Sequence, residues 1–349
     1  MNQPYMTPQP NGPQASGPMP QPGMSWQLPP WVPQARRAYS RVGLALLAMA
    51  GVTVLFQVLG SVWTMILWPE AMATGWYLWV ISFAPQYVVA LPVTVLLFRA
   101  LIPAHRPADH ALRPGQLAVA FLISIGILSA GNILGSLLSL LFSGGQAENP
   151  LNSYVSQVSP LQILVVVILA PLVEEFIFRR LIIDRLAPYG GALAVLASGL
   201  CFGLYHMNLF QFFYATGLGF VFGYLYLHTG RLRYTVALHM AVNFLGGAVA
   251  PLLLEQIDLP ALEWAVAQQD VVAIWNSLQS ALPLLLYEVV FFCAAIAGII
   301  LLLCRIGSLR FPPVPCPLPR GCRRVTVLNV GMPLFALLCI VFTVISLLA

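Results

Sequence analysis

Three short polar motifs lie in neighbouring apolar stretches of the chain, and they contain the side-chain types that hydrolyse amide bonds. The motifs read PLVEEFIFRR, CFGLYH and ALHMAVN. Their polar residues are Glu174, Glu175, Arg179, His206, His239 and Asn243. An ionisable side chain at the centre of a membrane helix costs roughly 2.5–3.5 kcal/mol on insertion scales. Such side chains need partners, a cavity or water, so we interpret these six as the functional centre.

The first motif holds two adjacent carboxylates and an arginine. Glu175 and Arg179 are four residues apart and share one face of a helix, so they can pair. Glu174 projects about 100° away around the helix axis. Two carboxylates in a low dielectric cannot both ionise cheaply without a cation. We therefore predict that Arg179 holds Glu175 ionised and that Glu174 is the reactive carboxylate, with a purely structural ion-pair network as the alternative.

The other two motifs supply imidazoles. Phe202 and His206 are one helical turn apart, although a lone histidine on an apolar helix is more often structural than catalytic. His239 and Asn243 face the same way, and they can converge on one ligand or form a polar contact between helices. Together the groups meet the needs of amide hydrolysis. A carboxylate takes a proton from water, an imidazole orients that water, and an imidazole with an amide stabilises the oxyanion.

In this order the patterns EExxxR, FxxxH and HxxxN resemble the motifs of the CPBP family, also called Abi or CAAX protease-like intramembrane proteases. The resemblance covers about residues 160–250. It implies that Glu174 is the general base that activates water and that His206 assists it. It also implies that His239 and Asn243 form the oxyanion hole, while Arg179 holds Glu175.

Members of this family have also been described as metalloproteases, in which the same glutamate and histidine residues bind zinc. The HExxH arrangement of many zinc proteases is absent from this sequence. We therefore expect glutamate-activated water with no required cofactor. If a divalent metal such as zinc is used, the resemblance makes Glu174, His206 and His239 its ligands.

The composition predicts an all-α, polytopic integral membrane protein. Of the 349 residues, 59% are hydrophobic and only 8% are charged, against about 25% charged residues in soluble domains. Residues 1–35 are rich in Pro, Gln and Gly, and we predict a disordered tail there. Residues 36–349 form the predicted membrane domain, with residues 160–250 as its catalytic core. Nine stretches approach the length needed to cross a bilayer: 43–68, 76–98, 117–142, 161–185, 191–209, 212–229, 233–254, 282–304 and 326–348.

The arginines predict the orientation. All sixteen basic residues are arginine, and with nine spans they all fall on the side of the amino terminus. The positive-inside rule makes that side cytoplasmic. The scattered arginines indicate topology rather than a nucleic-acid-binding face, and the six cysteines are expected to be free thiols. We expect the site to lie within the membrane and to open toward the cytoplasm.

These observations favour an intramembrane endopeptidase in a bacterial cytoplasmic membrane. Its expected partners are membrane lipid and a hydrophobic or lipidated peptide substrate; the sequence does not indicate an oligomeric state. A non-catalytic membrane scaffold or bacteriocin-immunity protein is the alternative, and a transporter with an intramembrane proton relay is a weaker one. Two further polar residues within spans, Asn132 and Glu288, have no motif partner. Asn132 is expected to make a contact between helices; Glu288 either does the same, which is the favoured interpretation, or lines the same cavity as the motif residues.

Overall fold

Eight helices of the protein are long and apolar enough to cross a membrane. The computed structural model describes residues 28–101, 107, 109–155 and 158–348, and this part of the chain contains helices and no strand. The long helices are α1 (Trp31–Leu67), α2 (Tyr77–Arg99), α3 (Pro114–Ser143), α4 (Pro160–Tyr189), α6 (Leu209–Thr229), α7 (Leu232–Leu254), α9 (Val271–Ile306) and α10 (Gly331–Leu348). Two shorter helices are α5 (Gly191–Tyr205) and α8 (Leu259–Ala267). The chain is therefore an all-α, multi-pass membrane protein.

Two helices begin earlier than the hydropathy pattern predicts. Helix α1 begins at Trp31, so residues 31–35 are helical and do not belong to the predicted tail. Residues 1–27 of that tail lie outside the described residues. Helix α9 begins at Val271, well before residue 282, because the Asp270 carboxylate accepts hydrogen bonds from the backbone N–H groups of Val272 and Ala273. An aspartate at this position satisfies donors that the first turn of a helix leaves free.

Helix α5 is too short to span the membrane, which corrects the prediction of nine complete spans. Its 15 residues extend about 22 Å, against about 30 Å of hydrocarbon. The chain then reverses at Met207, whose φ of 52° lies in the left-handed region. Asn208 starts α6 by accepting a hydrogen bond from the Gln211 backbone N–H at 2.9 Å. Helices α5 and α6 therefore form a hairpin, in which α6 with its 21 residues is the longer helix at about 32 Å.

The loops that carry arginine meet at one end of the bundle, which we call the arginine end. Trp31 donates a hydrogen bond to the Pro317 carbonyl at 3.0 Å, and the Cys316 N–H donates to the Pro188 carbonyl at 3.0 Å. Arg231 pairs with Asp109 in the loop between α2 and α3, and its guanidinium holds the pKa of that carboxyl below its usual value. These contacts agree with the predicted grouping of the arginine loops, although Arg106 lies outside the described residues.

Close packing of α3 against α9 depends on small residues. An added Cβ on Gly126 would lie 2.8 Å from the Ile299 nitrogen, and one on Gly298 would collide with the Leu122 carbonyl oxygen. Small residues at helix crossings allow such close backbone approach in membranes. The crossing fixes α9 beside α3, and both helices contribute to the cavity described below.

We predict that Gly298→Ala lowers the thermal stability of the purified protein in detergent. The added methyl group must separate α9 from α3, and overpacking of this kind costs about 1–3 kcal/mol. Gly307→Ala is the matched control, because no atom lies within 4 Å of a Cβ at that position. Equal melting temperatures for Gly298→Ala and the control would contradict the tight crossing.

Candidate active site

A buried ion pair between Glu175 and Arg179 lies beneath the site. The Arg179 Nε atom lies 2.9 Å from Glu175 Oε2, and Nη2 donates to Oε1 at 3.1 Å. Both side chains are 0% exposed. A bidentate arrangement is the strongest geometry for this pair, and it agrees with the pairing predicted from the four-residue spacing. The surrounding backbone is π-helical over Phe176–Ile183, a form that often occurs at functional sites.

Aromatic rings and one serine complete the surroundings of Arg179. Its remaining Nη1 atom donates to Ser198 Oγ at 2.9 Å, and that hydroxyl donates to the Phe178 carbonyl at 2.6 Å. The guanidinium carbon lies 5.0 Å from the ring centre of Phe202 and 5.9 Å from that of Phe222. Cation–π contacts of this kind strengthen when they are desolvated. Arg179 is thus held in a single position by α4, α5 and α6.

His239 joins the two carboxylates. Its Nδ1 atom lies 3.1 Å from Glu175 Oε1, and its Nε2 atom lies 3.6 Å from Glu174 Oε2. Glu175 already accepts two hydrogen bonds from Arg179, so it is an acceptor and the imidazole Nδ1 is the donor. Nε2 consequently faces Glu174. The chain Arg179–Glu175–His239–Glu174 therefore runs from a fully buried cation to a carboxylate that is 15% exposed.

His206 follows the end of α5, and its ring is oriented by the backbone. Its Nδ1 atom lies 2.8 Å from the Phe202 carbonyl oxygen, which can only accept. Nδ1 is therefore the donor, and Nε2 of the neutral ring carries a free lone pair. Asn208 fixes the turn by donating to the His206 carbonyl at 2.8 Å. The left-handed backbone at Met207 is the kind of local strain that a surrounding structure retains at functional sites.

Asn243 connects α7 to α4. Its Nδ2 atom donates to the Val166 carbonyl at 2.9 Å. Val166 belongs to a π-helical segment, Ile163–Leu169, in which some carbonyl groups are free to accept from a side chain. One amide hydrogen of Asn243 is used in this contact, so the side chain is both a link between helices and a cavity-lining group.

A cavity of about 670 Å³ brings four of the six predicted residues together. Glu174, His206, His239 and Asn243 all contribute to its lining. The other two, Glu175 and Arg179, lie behind that surface and do not line the cavity. The six predicted residues therefore form two groups: Glu174, His206, His239 and Asn243 are accessible from the cavity, whereas Glu175 and Arg179 are closed to water.

The cavity extends away from the arginine end, contrary to the expectation that the site opens toward the arginine loops. Its lining includes Asn149, Asn152 and Tyr154, which belong to the segment between α3 and α4 at the opposite end of the bundle. Asn132, for which a contact between helices is expected, also lines this cavity, and so does Glu288, for which a place in the cavity is one of its two expected roles. The sequence motif could not reveal the direction, because it fixes the residues of the site but not which end of the bundle remains open.

Several positioning residues were missed by the sequence interpretation. Ser198 binds Arg179, Asn208 fixes the turn after His206, and Gln211 and Tyr214 line the cavity. Asn208 carried a usable signal, since Asn followed three residues later by Gln is typical of a helix start. Ser198 carried none, because a serine in an apolar helix is common and its partner lies on another helix.

The donor groups predicted for a metal are not arranged as a metal site. Among the described residues, no group of three or more His, Cys, Asp or Glu side chains could hold a metal ion. Glu174 and His239 lie close together, and His206 has a free Nε2 lone pair, but these side chains do not meet as a set of three donors around one point. The cysteines do not extend the donor set, and all six are free thiols as expected. We accordingly derive no chemical step through a metal.

The fold and the site define a polytopic membrane protein with a buried carboxylate–imidazole centre. A family model described as "Type II CAAX prenyl endopeptidase Rce1-like" matches residues 156–245. A relative from Bacillus subtilis (strain 168), named "Putative membrane peptidase YdiL", is 34% identical over 186 residues, which cover 50% of this chain and 72% of the relative. No solved structure gives a significant match.

The chain belongs to the CAAX protease-like family of membrane peptidases, as its three motifs predicted. The family model ends just after Asn243 and begins just before α4, so it coincides with the helices that build the site. The coarse function that follows is that of an integral membrane protease.

We predict that Glu175→Gln destabilises the protein far more than Glu174→Gln does. Removing the charge of Glu175 leaves Arg179 buried without a counter-charge, and breaking such a pair costs about 3–5 kcal/mol. Glu174 is partly exposed in the cavity, where water can solvate the substituted amide. Thermal unfolding of the two purified variants in the same detergent provides the comparison. Similar losses for both variants would mean that the two carboxylates do not have separate roles.

Proposed function

We propose that the protein is an intramembrane endopeptidase in which Glu174 acts as the general base toward a water molecule. The observation that carries this proposal is the position of Glu174 at the exposed end of the chain Arg179–Glu175–His239–Glu174. Its Oε2 atom is 3.6 Å from the imidazole Nε2 of His239, and it lines a cavity large enough for an extended peptide segment. The neighbouring Glu175 is neutralised by Arg179 and cannot take this role.

In the proposed reaction, Glu174 takes a proton from water while the water oxygen attacks the carbonyl carbon of the peptide bond. A general base in this position contributes about 10²–10⁴-fold to the rate. The lone pair on His206 Nε2 accepts a hydrogen bond from the same water and orients it. Glu174 then returns the proton to the leaving nitrogen as the carbon–nitrogen bond breaks. The products are a new carboxylate and a new amino terminus.

The oxyanion needs donors on the other side of the carbonyl group. We assign this role to the amide hydrogen of Asn243 that is not bonded to Val166. We do not assign His239 to the oxyanion, because the neutral ring donates its Nδ1–H to Glu175 and has no N–H left for an oxyanion. This division differs from the role implied by the family resemblance, in which His239 and Asn243 share the oxyanion.

The proposed substrate is a peptide segment that is embedded in the membrane or attached to it. Several of the long apolar helices contribute to the cavity, and its lining combines apolar rings with amide and hydroxyl groups. Amide and hydroxyl groups can bind an extended peptide backbone, and rings such as Phe291 and Phe292 suit apolar side chains. The matching family model names a CAAX prenyl endopeptidase, which is compatible with a lipid-attached peptide.

We predict that Glu174→Gln abolishes peptide processing while the protein stays folded. The amide cannot accept the proton of the attacking water, and we expect a rate loss of roughly 10²–10⁴-fold. The measurement compares the membrane-associated and released peptides of cells that carry the wild-type chain or the variant. A peptide pair that appears only with the wild-type chain identifies both the activity and the bond that is cleaved.

Glu148→Gln is the matched control for that comparison, because Glu148 is an exposed carboxylate in a loop. It should process peptides like the wild-type chain. If Glu174→Gln gave an unchanged peptide profile and a normal melting temperature, the non-catalytic scaffold would replace the protease as the best account of the site.

We also predict that a strong metal chelator leaves processing by the purified protein in proteoliposomes unchanged. The reason is that the described residues do not bring three His, Cys, Asp or Glu side chains together where they could hold a metal ion. The substrate peptide identified in the preceding comparison serves as the reporter. Loss of cleavage that is restored by zinc alone would contradict the glutamate mechanism.

A further inference from the structure

The cavity reaches from mid-depth to one end of the bundle only. Glu174 lies near the middle of the 30-residue helix α4, about 20 Å from either end. From there the lining continues to Asn149 and Asn152, which follow α3 at the end opposite the arginine loops. Asn152 is exposed, so the lining extends to the surface at that end.

Packed side chains separate the site from the arginine end. Glu175, Arg179 and Ser198 are each 0% exposed. Beyond them, Tyr226 donates to Asp184 at 2.7 Å, and both side chains are buried. The apolar residues of α4 in this layer are also 0% exposed: Ile177, Phe178, Ile182, Ile183 and Leu186. A substrate that came from the arginine end would have to displace this whole layer.

Polar side chains are interspersed with apolar ones in the lining of the cavity. Those with amide or hydroxyl groups include Gln57, Ser82, Gln86, Ser129, Asn132, Asn149, Asn152, Tyr154, Gln211 and Tyr214. The Ser129 hydroxyl is buried and has no hydrogen-bond partner among the described residues. A buried hydroxyl without a partner is costly unless water or a ligand satisfies it. This lining suits a hydrated path that an extended peptide can enter.

The lining contains two carboxylates and no permanent cation among the described residues. Glu174 and Glu288 contribute the carboxylates, and His206 and His239 contribute imidazoles. A cleft lined by one sign of charge concentrates ligands of the opposite sign. An acidic segment is therefore disfavoured, and a neutral or cationic segment is favoured.

We infer that the substrate enters from the arginine-free end, which the positive-inside rule makes the extracytoplasmic face, and that it is a neutral or cationic peptide segment presented there. This access route is opposite to the cytoplasmic entry that the sequence alone suggested. That the substrate is a peptide rests on the proposed function. The side from which it enters is inferred separately, from the cavity and from the distribution of the arginines.

Cysteine labelling in intact cells tests the side of access. Asn132→Cys reports the cavity, Ser308→Cys reports an exposed position in the loop at the arginine end, and Leu134→Cys reports the lipid-facing surface of α3. Each variant of the full chain is treated with a membrane-impermeant cationic methanethiosulfonate, and mass spectrometry assigns the label to individual cysteines. Native Cys316 and Cys322, in the loop after α9, provide internal reporters for the arginine end.

We expect labelling of Asn132→Cys in intact cells, labelling of Ser308→Cys only in inverted vesicles, and no labelling of Leu134→Cys from either side. Labelling of Asn132→Cys only from the side that labels Ser308→Cys would overturn the inferred route, as would protection from both sides. Labelling of Ser308→Cys in intact cells would overturn the extracytoplasmic assignment. The label is read on the protein itself, so an inactive chain gives the same labelling pattern, and failure of the proposed function remains distinguishable.

A second measurement tests the preference for charge. Asn132→Cys should react faster with a cationic methanethiosulfonate than with an anionic sulfonate analogue, after normalisation to the rates at Ser153→Cys, which is exposed at the same end and does not line the cavity. Glu288→Gln in the Asn132→Cys background should reduce that normalised ratio, because it removes one of the two carboxylates. An equal or reversed ratio, or no effect of Glu288→Gln, would overturn the inferred substrate charge. Size-exclusion chromatography confirms that each variant is folded.

Discussion

The burial of Arg179 is the constraint on which the site depends. A guanidinium cannot be left without a counter-charge in a low-dielectric interior, because an isolated buried ion is strongly destabilising. Glu175 supplies the charge, Ser198 and two aromatic rings complete the contacts, and His239 extends the network to Glu174. Four helices, α4 to α7, are thereby fixed around one cation, and Glu174 is held at the edge of a buried layer rather than on a loop.

The incomplete span α5 has a second consequence. Because α5 ends at Tyr205 and α6 begins at Leu209, His206 lies in the turn between the two helices. This turn and its flanking helices line the cavity through Phe202, His206, Gln211 and Tyr214. The early end of α5 therefore places an imidazole in the cavity lining, where the backbone carbonyl of Phe202 orients the ring.

Much of the site was predictable because its residues occur at helical spacings in an environment where polar side chains are costly. The spacing of Glu175 and Arg179 predicted their pairing, and the apolar surroundings identified His206 and His239 as residues in need of partners. Other contacts were not predictable. Ser198 and Arg179 are brought together by the crossing of α5 and α4, and Asn132 and Glu288 reach the cavity through the orientation of α3 and α9. Such contacts depend on the rotation of each helix about its axis, which periodicity does not fix in a helix that is apolar on all sides.

The sequence by itself determined the membrane class, the helical fold, the grouping of the arginines and the family, because these follow from composition, stretch length and three local motifs. Tertiary structure decided that His239 bridges the two carboxylates, that Asn243 is partly used by Val166, and that the cavity opens away from the arginine loops. The physical reason is that a motif specifies which residues are neighbours along one helix. The shape and direction of a cavity depend on how all the helices pack against one another.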